Sequence, residues 1–133
     1  MIQHISADPS LGFFLPETEG ADIHESIPPK EEETVIVKNF PNSLLSTDLE
    51  SKLRDKGVTK IIVIGMTTHM CIDATARTAV DLRFETTVIE DACATLDLFY
   101  KGHDVPAEQV HYSLIAALNG IYAENTSSED FLK

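Results

Sequence analysis

Apolar residues fall along the chain in short runs that change period in a regular order. Residues 1–33 begin with a few strand-like positions, then turn to Pro, Gly and acidic residues through P-P-K-E-E-E, which predicts an irregular lead. Residues 34–37 (T-V-I-V) form a β-branched run into Lys38 and predict a strand. A loop with Pro41 covers 39–46. The T-x-x-E at 47–50 then reads as a capping box, with Leu49 and Leu53 as the stripe of a short helix ending near Gly57. Residues 60–64 (K-I-I-V-I) predict a buried strand. Cys71, Ala74, Thr75, Thr78, Ala79 and Leu82 recur at helical spacing and predict one face of a helix that Cys71 opens. Residues 86–90 predict a third strand. A loop punctuated by Gly102 and Pro106 follows, with Pro106 as an early helix residue. Val110, Leu114, Ala117, Leu118 and Ile121 predict the inner face of a last helix, and 125–133 a polar tail. Strands alternating with helices predict an α/β fold with an open parallel sheet flanked by helices, in a single domain over 1–133.

Composition narrows the function classes. A chain of 133 residues supports one core and is too short for two. A net charge of −12 argues against nucleic acid or anionic membrane as a partner, because both repel an acidic surface. No apolar run approaches the ~20 residues that span a bilayer, and no signal-peptide pattern is present, so a cytoplasmic protein is expected. The two cysteines, Cys71 and Cys93, sit in different predicted elements and are expected to be reduced thiols. Without a C-x-x-C, a redox function is a weaker reading. His4, His24, His103 and His111 show no H-x-x-H or H-x-x-x-H spacing, so no metal is expected.

Chemistry concentrates at residues 61–71, I-I-V-I-G-M-T-T-H-M-C. An apolar run ends at Gly65, a polar turn follows, and a cysteine opens a helix. Backbone N–H groups and the helix dipole at that place favour the thiolate, which is the nucleophilic form. A lone cysteine in a soluble protein is otherwise most often a small core residue.

The segment G-M-T-T-H-M-C-I-D-A-T-A-R-T-A-V-D-L resembles the nucleophile segment of the isochorismatase-like cysteine hydrolases. Residues 35–49 (V-I-V-K-N-F-P-N-S-L-L-S-T-D-L) resemble the family's strand that ends in an active-site lysine. Residues 88–96 (V-I-E-D-A-C-A-T-L) resemble its next strand and turn. Gln3-His4 and 16–23 (P-E-T-E-G-A-D-I) fit its second strand and the following loop. The family begins with a D-x-Q strand, whose aspartate is catalytic, and a helix. No D-x-Q occurs here, so the resemblance implies an N-terminally truncated member of an open, Rossmann-like three-layer fold. In the family's sheet order the missing strand is central. The chain is then expected to pair the neighbouring strands directly, to borrow a strand from a second chain, or to fold marginally, with an oligomer favoured.

The resemblance also implies roles. Cys71 matches the nucleophile and Lys38 the lysine that holds the catalytic groups in electrostatic register. Cys71 and Thr67 match the oxyanion-hole N–H donors, with a cis peptide at Met66–Thr67. His69 falls where the family partly faces substrate, although its turn position favours a solvent-facing histidine. Phe13 and Phe40, with Phe14, suggest an apolar pocket wall. Cys93 reads as a packing residue, Asp91 as a loop-orienting Asx residue, and Arg77 as a surface or subunit contact. The function implied is hydrolysis of a C–N bond in a small amide-like substrate, without cofactor, by a homo-oligomer. The alternative is an inactive or truncated member acting as an oligomerising or binding module.

Overall fold

The computed structural model describes all 133 residues. Its elements form a three-layer α/β arrangement, a parallel sheet flanked by helices. Strand β1 (Ile2–His4) pairs in parallel with β2 (Ile36–Lys38), with His4 opposite Lys38. The long segment between them contains only two short 3-10 turns, Pro9–Leu11 and Glu19–Ala21, as its Pro, Gly and acidic content predicts.

Helix α1 (Leu49–Asp55) follows β2. The capping box does not form. The Thr47 hydroxyl accepts the Leu49 N–H and donates to the Ser43 carbonyl, while Glu50 pairs with Arg54. Local hydroxyl bonding outcompetes the reciprocal box because Thr47 is turned towards the preceding loop. The chain leaves the helix through Gly57 at φ 67°, a left-handed position that glycine takes without strain.

Strand β3 (Lys60–Met66) leads through a π-helical turn (Thr68–Ile72) into α2 (Asp73–Asp81). Strand β4 (Glu85–Ala94) lies parallel to β3, with Val63 opposite Val88. An antiparallel hairpin, β5 (Leu98–Tyr100) and β6 (His103–Val105), occupies the region read as a loop. Pro106 is the N-cap of α3 (Ala107–Leu118). The polar tail also carries structure: β7 (Glu124–Thr126) adds in parallel to β4, and α4 (Ser128–Phe131) closes the chain.

The core lies where α2 and α3 meet one face of the sheet, in a cluster of Ile72, Ala76, Val88, Ile115, Leu118 and Ala123 with Val63 against it. The buried faces are rotated from those predicted. On α2 the buried residues are Thr75, Ala76 and Ala79, preceded by Ile72, while Cys71 is half-buried. The π-helical turn shifts the helical phase by one residue, which spacing alone does not reveal. On α3 they are Val110, Ile115 and Leu118, and Ile121 is 78% exposed because the helix has ended at Leu118.

Strand β3 is not buried on both faces. Side chains alternate across a strand, and Val63 turns to the core while Ile62, Ile64 and Met66 are 53%, 60% and 65% exposed. Its only ladder partner is β4, and β1 pairs only with β2. The two parallel groups are not hydrogen-bonded to each other, so direct pairing of the strands flanking the expected gap does not occur.

Candidate active site

Lys38 and His4 end β2 and β1 side by side. Parallel register partners share a face, so both side chains leave the C-terminal ends of their strands on the same side, where open α/β sheets bind ligands. Lys38 is only 4% exposed. Its Nζ donates to the Pro41 carbonyl at 2.5 Å and to Ser43 Oγ at 3.3 Å, and no carboxylate forms an ion pair with it. A buried ammonium held by neutral acceptors is costly unless its donors are well satisfied. The loop after β2 bends back over the lysine to supply those acceptors.

Ser43 continues the chain of contacts. Its N–H donates to Thr75 Oγ1 at 3.0 Å, and the Thr75 hydroxyl donates back to Ser43 Oγ at 3.1 Å. Asn42 Nδ2 donates to Thr78 Oγ1 at 2.9 Å. Thr75 lies four residues after Cys71, about one helical turn or roughly 6 Å along the axis. Lys38 is thus joined through one serine and one threonine to the helix that follows Cys71, 33 positions on in sequence. The sequence places Thr75 on a helical face but assigns neither Ser43 nor Thr75 a part in the site. The signal for them was present, since two hydroxyl residues on the buried stripe of a helix need polar partners.

Cys71 sits in the π-helical turn rather than at the first residue of α2. The turn is anchored at Thr68, which is fully buried. Its hydroxyl donates to the Ala94 carbonyl at 3.2 Å and is bonded to His111 Nδ1 at 3.0 Å, tying the turn to β4 and α3. The Thr67 carbonyl accepts from the N–H groups of Met70 and Ile72, and the Met66–Thr67 peptide is cis. Gly65, at φ 122°, begins the reversal at a value L side chains rarely adopt. His69 is half-buried, with Nδ1 2.5 Å from Thr95 Oγ1, so it is not a freely solvated turn histidine.

His4 lacks metal-ligand spacing in the sequence, and the structure places it beside Lys38. Burial and the neighbouring ammonium push its pKa below the ordinary value, favouring the neutral ring, and its buried Nδ1 has no partner. Phe14 stacks on it at 4.9 Å, and Phe13 meets Phe14 edge-on at 5.4 Å. Phe13 and Phe40 are partly exposed near these strand ends.

Two residues differ from their expected roles, and Cys93 does not. Asp91 makes no local Asx turn with its neighbours. Its carboxylate accepts from the N–H and hydroxyl of Ser128, which holds it below the usual carboxylate range and fastens α4 to β4. Arg77 is no free surface cation, since it pairs with Asp73 and lies 4.5 Å over the Tyr122 ring. Cys93 stands opposite Gly65 on β4, half-buried, and burial pushes its thiol pKa up, consistent with a packing residue. The two thiols are free.

Comparison with known proteins bears on the family and the fold. The model of the isochorismatase domain matches residues 2–130. The uncharacterized isochorismatase family protein YddQ of Bacillus subtilis is 53% identical over 132 residues, which is 99% of this chain and 73% of that protein. A streptothricin hydrolase of Streptomyces noursei is 33% identical over 99 residues, 74% of this chain and 36% of that one. An isochorismatase from Pseudomonas putida superposes with a TM-score of 0.89 at 30% identity, over 97% of this chain and 66% of that chain. A provisionally designated isochorismatase hydrolase from Oleispira antarctica superposes at 0.92 with 43% identity, over 98% and 69%. On the match of the domain model and the identity to these relatives, the chain belongs to the isochorismatase family.

Proposed function

We propose that this chain is a cysteine hydrolase acting on the C–N bond of a small amide-like molecule. The Cys71 thiolate attacks the carbonyl carbon, the amine leaves with a proton, and water cleaves the resulting thioester to release the acid and restore the thiol. N–H donors at Cys71 and Thr67 would receive the negative charge that builds on the carbonyl oxygen; losing one such donor costs roughly 3 kcal/mol of barrier in other hydrolases. Phe13, Phe40 and His69 would wall the substrate pocket. The observation that carries the reading is the continuous link from buried Lys38 through Ser43 and Thr75 to the helix that follows Cys71. A turnover screen over small amides and carbamoyl compounds, with Cys71→Ala as the control, tests it. Activity that survives intact in the purified Cys71→Ala protein ends the nucleophile assignment.

A second reading has its own support. No carboxylate meets Lys38, so the proton acceptor expected of the family is not supplied at that ammonium. β1 and β3 each pair with one strand only, and β3 exposes an apolar stripe. These features favour an oligomerising or binding module, and under either reading we propose self-association through the β3 face. Sedimentation combined with thermal melts checks this: a stable monomer with one sharp transition would refute it. No helix is long and apolar enough to cross a membrane. With two free thiols, we place the protein in the reducing cytoplasm.

A further inference from the structure

We infer that Ser43 and Thr75 are positioning residues that hold the Lys38 ammonium towards Cys71 and lock the loop after β2 onto α2. The inference rests on the reading of Cys71 and Lys38 as one working unit. Three bonds form the clamp: Ser43 N–H to Thr75 Oγ1, Thr75 hydroxyl to Ser43 Oγ, and Asn42 Nδ2 to Thr78 Oγ1. Ser43 and Thr75 are both buried, so water cannot replace a lost partner without opening the site.

The division of labour follows from the donor count. Lys38 carries three N–H donors; one is held by the Pro41 carbonyl and one by Ser43 Oγ. Ser43 Oγ accepts from Lys38 and from Thr75 at once, so the threonine fixes the acceptor that fixes the lysine. A lysine stem has four rotatable carbons, and its ammonium is a mobile point charge unless its donors are fixed. Thr75 is a rigid anchor because its β-branched side chain has restricted rotamers within a helix. It stands one turn from the nucleophile, so the same helix sets both ends of the unit.

Peptide-resolved iodoacetamide labelling at neutral pH tests this, with Cys93 in the same molecule as internal reference. Lys38→Met should lower the Cys71-to-Cys93 labelling ratio roughly tenfold, the effect of removing a cation close to a forming anion. Ser43→Ala keeps the backbone bond to Thr75 and removes the acceptor that Lys38 and the Thr75 hydroxyl share. It should lower the ratio roughly threefold, as should Thr75→Val, and Thr75→Ser should restore it. Thermal melts of each variant establish that the labelled species is folded. If Lys38→Met lowers the ratio while Ser43→Ala and Thr75→Val keep the wild-type value, the clamp is overturned and the proposed function stands. Labelling that rises at both cysteines together also overturns the clamp, because that is the signature of general loosening. An unchanged ratio in Lys38→Met overturns the reading beneath it.

Discussion

The β3–β4–β7 unit and the β1–β2 pair are both built from parallel strands, but they are stabilised by different means. Helices α2 and α3 seal one face of the first with Val88, Ile115 and Leu118. The second has two three-residue strands and a long irregular connection, and its buried residues include the polar Ser6, Lys38 and Ser43. One unit is held by apolar area removed from water, about 25 cal/mol per Å². The other depends on specific hydrogen bonds, each worth about 1 kcal/mol net but expensive to leave unmade. The candidate site joins them, with Cys71 on the apolar unit and Lys38 on the polar one. Under the proposed function, the apolar body would present the Cys71 thiol and the hydrogen-bonded flank the Lys38 charge.

Substitutions on the two sides should separate accordingly. The largest effect is expected from Cys71→Ala, which should abolish hydrolysis while the melting transition stays close to wild type, since the half-buried thiol leaves little cavity. Lys38→Met should come next, losing most activity. Its stability should fall by about 1–3 kcal/mol, because the Pro41 carbonyl and Ser43 Oγ lose their donor; unchanged stability by chemical denaturation would contradict the contrast drawn between the units. Leu118→Ala, at a fully buried position in the apolar unit, should cost about 2–5 kcal/mol in a denaturant titration.

A smaller effect is expected at His4. Its folded-state pKa lies below the ordinary 6.5, so folding disfavours the protonated ring. The stability it contributes is present above pH about 6.5 and is lost as pH falls through the folded value. Wild type should therefore lose stability on acidification in that window more steeply than His4→Gln, measured as Tm against pH. Parallel curves for the two proteins would remove His4 from the flank's electrostatics. The smallest effect is expected from Ile64→Thr, which should change the stability of an isolated monomer by no more than about 0.5 kcal/mol, because that side chain is 60% exposed. A substantially larger cost at high protein concentration would show the β3 stripe to be covered in an assembly.

The strong local patterns were legible before any coordinates. The run into Lys38, the run ending at Gly65 and the stretch that opens at Ala107 announce their elements, because β-branched runs, glycine reversals and proline starts act within a few residues. The motif around Cys71 carried the family, which the domain model and the relatives show. Less was readable where length or phase decided the outcome. The hairpin at Leu98–Val105 and strand β7 are three-residue strands, too short to display a period. The buried stripe of α2 moved by one position because the π-helical turn inserted a phase shift no spacing rule anticipates.

Sequence alone determined the alternation of the longer strands and helices and the two residues likened to the family's catalytic ones, Cys71 and Lys38. These depend on neighbours along the chain and on side-chain type. Only the tertiary structure decided that Lys38 is buried without a carboxylate, that His4 stands beside it with an orphaned Nδ1, and that Ser43 and Thr75 bridge it to the helix after Cys71. The physical reason is that a hydrogen bond is short and directional: its partners are set by where distant segments meet, and Ser43 and Thr75 are 32 residues apart in the chain.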